Sequence, residues 1–99
     1  MRLTNLQINT ICEGTALLAG QAARVWLFGS RIRDDARGGD VDLLMELTES
    51  VTEPAQLSAR LAALVSRTMN GSKVDVLIKA PNLKLLPIHS LAFSRGIQL

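Results

Sequence analysis

Four apolar residues in a row, Val25-Trp26-Leu27-Phe28, stop abruptly at Gly29. The run is too short for a helix and continuous rather than alternating, which suits a strand covered on both faces. Covering such a sheet requires helices, and the flanking sequence supplies them. Ile8, Ile11, Cys12, Leu17 and Leu18 recur at helical spacing, with Thr4 or Asn5 as an N-cap and Gly20 as a stop. A second helix opens at Thr52-Glu53-Pro54, buries Leu57, Leu61, Leu64, Val65 and Met69, and stops at Gly71.

Two further strands are expected at residues 40–46 and 73–78, both with aliphatic runs. Pro81 and Pro87 break the chain after the last of them, and residues 88–94 suit a final short helix closed by Gly96. The order helix, strand, strand, helix, strand, helix predicts an α/β (α+β) fold, a small mixed sheet of about three strands packed against helices. At 99 residues the chain has the size of one domain, 1–99, and can bury enough surface to need no disulfide or structural metal.

Hydrophobic residues at 47% against 20% charged exclude a disordered chain. A single cysteine, Cys12, allows neither an internal disulfide nor a CxxC zinc site, and suits a reducing cytosol. Asn5, Gln7, Asn9 and Glu13 interrupt the first helix, so a signal peptide or a spanning segment is not expected there. The expectation is a soluble cytoplasmic protein with no membrane partner. The formal charge of +2 is not gathered into a basic block, so no direct nucleic-acid binding is expected.

Core physics does not explain the acids of the second and third strands. Asp40 and Asp42, two apart on a strand, project to the same side, while Val41 points away. Asp75 interrupts the aliphatic run of the third strand and brings a third carboxylate to the same sheet or beside it. Unpaired buried carboxylates cost several kcal/mol each, roughly, and repel one another, so a cluster of them calls for a cation. Oxygen-only ligands favour Mg²⁺, and a pair of such ions suits displacement at phosphorus. The plainer alternatives are a solvated Asp-x-Asp pair and an ion pair between Asp75 and Lys73 or a loop arginine.

Gly29 and Ser30 stand where the first strand ends, a place where free backbone N–H groups and a hydroxyl can hold a phosphate. Arg31, Arg33 and Arg37 surround this turn with guanidinium forks suited to a triphosphate, although Asp34 and Asp35 can equally neutralise them. Arg31, next to Ser30, is the candidate for substrate contact. His89 and Trp26 are expected in packing roles. The Leu83–Leu86 segment either covers the sheet or receives a helix from a partner.

The run Leu27-Phe28-Gly29-Ser30-Arg31-Ile32-Arg33, followed by Asp40-Val41-Asp42-Leu43-Leu44 and later by Asp75, resembles the signature of the DNA polymerase-β-like nucleotidyltransferase superfamily. It is most similar to the minimal nucleotidyltransferase antitoxins, partners of HEPN-domain toxins. The loop from Ser30 to Asp40 is one residue shorter than the commonest family pattern, and Gly39 replaces a usual serine. The resemblance implies that Gly29 and Ser30 hold the β- and γ-phosphates. It also implies that Asp40 and Asp42 bind Mg²⁺, as two ions, and that Asp75 completes the metal site and helps deprotonate the attacking hydroxyl. The implied reaction is transfer of AMP from ATP, a nucleoside triphosphate, to a HEPN toxin. With no second domain expected to enclose an acceptor, the acceptor would arrive on another molecule. A non-catalytic antitoxin acting by occlusion and an aminoglycoside-type small-molecule enzyme are the alternatives, and a homo-oligomer is compatible with either.

Overall fold

A computed structural model describes residues 3–29 and 40–99 of the chain. Helix α1 (Asn5–Ala19) begins at Thr4 because the Thr4 hydroxyl accepts from the Gln7 N–H at 3.1 Å while the Gln7 side chain accepts from the Thr4 N–H at 2.9 Å. This reciprocal pair satisfies two backbone donors that the first turn leaves free. Strand β1 (Arg24–Phe28) follows, then β2 (Val41–Glu46). Helix α2 (Pro54–Thr68) carries its proline in the first turn, where no N–H is needed. Strand β3 (Val74–Lys79), helix α3 (Pro87–Arg95) and a two-residue strand β4 (Ile97–Gln98) complete the chain.

The sheet is four-stranded, ordered β3-β2-β1-β4, so the expected three strands gain a short fourth at one edge. β1 runs antiparallel to both β2 and β4, whereas β2 and β3 are parallel and joined through α2. A parallel pair cannot be linked by a tight turn, and α2 provides the crossover.

Alternation along the strands divides the residues between two faces. On one face Val25, Leu27, Val41, Leu43, Met45 and Ile78 are buried against Ile11 of α1 and Leu61 and Val65 of α2. Gly14 of α1 lets the two helices approach, since a side chain there would press on Leu64 and Leu61. The central residues of the other face are apolar too: Leu44 is fully buried, and Trp26 meets Phe93 of α3 edge-on with ring centroids 5.3 Å apart. Both faces are thus covered at mid-sheet. Among the described residues no helix is long and apolar enough to cross a membrane.

His89 is buried and fastens α3 to the sheet. Its Nδ1 accepts from the Leu86 N–H at 3.0 Å, which leaves Nε2–H to donate to the Ile78 carbonyl, also at 3.0 Å. His89→Ala is expected to lose about 1–3 kcal/mol of stability, because a buried carbonyl and an N–H lose their partners together. Urea denaturation of the two proteins measures this directly, and an unchanged midpoint would contradict the assignment.

Candidate functional site

At the end of the sheet where β2 and β3 begin, the apolar covering gives way to charge. The register pairs Asp42 with Asp75 across the parallel strands and with Phe28 across the antiparallel ones. Parallel alignment decides this geometry: both acids are the second residue of their strand, so the pairing sets them side by side, with strand axes about 4.8 Å apart. Asp40 lies two residues before Asp42 and so shares its face, exposed just outside β2.

These three acids have unequal surroundings. Asp42, in the middle, is half-buried, and its carboxyl is pushed above the usual carboxylate range, first by burial and then by the charges of Asp75 and Asp40. Lys73 acts in the opposite direction. Asp75 is more exposed, and its Oδ2 lies 3.7 Å from Lys73 Nζ. Among the described residues no three acid, histidine or cysteine side chains close on one point. The acids line an open edge rather than a cage, with the third turned partly towards the lysine. Hard oxygen donors that repel one another are suited to a divalent cation that leaves room for further ligands.

Gly29 bounds the site on the β1 side. Its φ of +79° is one that side-chain-bearing residues rarely adopt, and a Cβ on it would collide with Oδ2 of Asp42. The turn therefore favours glycine here, and a side chain would force the Asp42 carboxylate to shift. Ser30, Arg31, Arg33 and Arg37, expected to contribute to phosphate binding, lie outside the described residues, as do Asp34 and Asp35.

An open groove of about 590 Å³ runs from Phe28 and Asp42 past Asp75 and Leu77 to Ala59 and Ile88. Its volume is in the range of small-molecule sites. Another cavity, of about 440 Å³, lies at the opposite end of β2 against Leu47, Thr48 and Glu49, away from the three acids. Ile88 in this lining is exposed, as are Leu85, Leu86 and Leu91. Leu83 is packed against the core while Leu85 and Leu86 are exposed, so the Leu83–Leu86 segment covers the core only in part.

Two members of this neighbourhood carry little signal in sequence. Phe28 reads there as one more apolar strand residue, although its register opposite Asp42 makes it a wall of the groove. Ser58 also lines the groove, but its hydroxyl is committed to the Val76 carbonyl at 2.7 Å.

A model of the nucleotidyltransferase domain matches residues 14–95, from within α1 to the last residue of α3. No curated protein and no solved structure matches the chain. The match spans the strands that carry Asp42 and Asp75 and the small mixed sheet that sets them side by side, and by it the chain belongs to the nucleotidyltransferase domain family, whose chemistry is nucleotidyl transfer.

Proposed function

We propose that the protein transfers AMP from ATP to a hydroxyl of a partner protein, a HEPN-domain toxin, and thereby acts as its antitoxin. The observation that carries the reading is the pairing of Asp42 with Asp75 at the mouth of an open groove, with Gly29 pressed against the same carboxylate. An open groove lined in part by the exposed Ile88 favours an acceptor carried on a protein surface over a small molecule, which a site would have to enclose. The toxin identity comes from the sequence resemblance.

In this reading Asp40, Asp42 and Asp75 would hold Mg²⁺, which would supply charge neutralisation for the triphosphate. Gly29 and Ser30 are the residues that the sequence resemblance assigns to the β- and γ-phosphates, through backbone N–H groups and the serine hydroxyl. Asp75, exposed and lining the groove, would accept the proton of the acceptor hydroxyl. That oxygen forms its bond to the α-phosphorus as the bond to the β-phosphate bridging oxygen breaks, and pyrophosphate leaves.

The test is incubation of the protein with ATP, Mg²⁺ and the co-encoded partner, followed by intact mass measurement of the partner. The expected outcome is a gain of one or more AMP units, absent with Asp40→Ala/Asp42→Ala. A double variant that neutralises the partner as well as wild type would replace catalysis with occlusion. Exchanging ATP for other triphosphates checks the base preference in the same assay.

A further inference from the structure

The register that opposes Asp42 to Asp75 begins at Val41 and Val74, and just outside it lie Asp40, before β2, and Lys73, before β3. Asp42 lies beside Asp75 and within reach of the charges of Asp40 and Lys73, so the four residues form one charged patch, three negative and one positive. The backbone of Lys73 is pinned there: its carbonyl accepts from the N–H of Val41, the residue between Asp40 and Asp42, at 2.9 Å. Its ammonium lies 3.7 Å from Asp75, with side chains 68% and 54% exposed. An ion pair this exposed contributes little to folding. The effect of a cation at this corner falls on the charge of the site.

We propose that Lys73 is the built-in counter-ion of the three acids, pairing with Asp75 and lowering the affinity of the nucleotide-free site for divalent ions, so that a second ion depends on the triphosphate. This rests on the reading of Asp40, Asp42 and Asp75 as the metal-holding acids and deepens it. Three carboxylates and one ammonium leave two net negative charges, which a single divalent ion balances. A second ion then needs the negative charge of the nucleotide. Replacing Lys73 by a neutral residue raises the net negative charge to three and removes a like-charged neighbour of the metal, so the nucleotide-free protein gains affinity for divalent ions. A single charge acting on a divalent ion several ångströms away in a water-like medium changes affinity by about three- to tenfold at low salt, and by less as salt screens it.

The test uses Mn²⁺ as probe, with the free ion followed by electron paramagnetic resonance in titrations of nucleotide-free wild type, Lys73→Met, Lys73→Arg and Asp42→Asn. Lys73→Met is expected to bind Mn²⁺ about three- to tenfold more tightly than wild type, with the gap narrowing as NaCl is added and closed by Lys73→Arg. Equal affinity of Lys73→Met and wild type, with binding lost in Asp42→Asn, overturns the counter-ion role and leaves the metal-site reading standing. Mn²⁺ binding that ignores Asp42→Asn overturns both. Tighter binding by Lys73→Met that Lys73→Arg fails to reverse also overturns the role, since it points to a local rearrangement instead of charge.

Discussion

Asp42→Asn is expected to reduce nucleotidyl transfer by about a thousandfold or more while making the metal-free protein more stable at neutral pH. The loss of activity follows from the position of Asp42 between Phe28 and Asp75, with Asp40 on the same face, where it is the one acid adjacent to both others. Under the proposed mechanism, removing one preorganised charge from a site that would work by neutralising phosphate costs about that much in rate. The gain in stability follows from its raised pKa, caused first by burial and then by Asp75 and Asp40. A carboxyl that holds its proton more tightly folded than unfolded favours folding below the usual carboxylate range. That contribution is lost as pH rises through the elevated folded-state value. At neutral pH the charged form therefore burdens the fold, and an amide of the same shape relieves it. Urea denaturation in EDTA should show Asp42→Asn ahead of wild type at pH 7, with the gap closing as the pH falls towards the carboxylate range. A variant less stable than wild type at pH 7 would contradict the account.

Gly29→Ala is expected to lose about 1–2 kcal/mol of stability and about a hundredfold in transfer rate. Two effects combine at this position: the φ of +79° and the absence of space for a Cβ beside Oδ2 of Asp42. Gly71 separates them, because it has the same φ of +79° with nothing within 4 Å of the place its Cβ would take. Gly71→Ala should therefore lose stability through backbone strain alone and keep its rate. Thermal melts and transfer assays on the two variants distinguish the contributions. If both lose activity alike, the collision with Asp42 is not what matters at Gly29.

Where the sequence carries local chemistry, it predicts structure closely. Thr4 and Gly20 bound α1, and Pro54 begins α2, because caps and prolines act over a few residues. The three main strands are recognisable from apolar runs that no amphipathic helix would contain. β4 leaves no such trace: two residues have no periodicity, and Ile97 and Gln98 become a strand only because Leu27 and Trp26 offer an open edge. The acids are recognisable as a set, since Asp40, Asp42 and Asp75 interrupt otherwise apolar segments. What could not be read is that Asp42 and Asp75 face each other, because register between distant strands is decided by packing along both faces. The same limit applies to Lys73: its pairing with Asp75 is one option among several in sequence, and the strand pairing selects it. His89 reads as a packing residue, but its two hydrogen bonds, to Leu86 and Ile78, depend on where α3 lands.

The parallel pairing of β2 with β3 also bears on when the protein can become active during its synthesis. Asp42 and Asp75 come together only after the whole crossover through α2 has formed, and contacts that close a long loop come late because the chain must first give up its freedom. An emerging chain can wind α1 and α2 while its acids are still apart. The proposed site thus reports on completion of the sheet, and on that proposal a half-assembled molecule has little capacity to consume nucleotide.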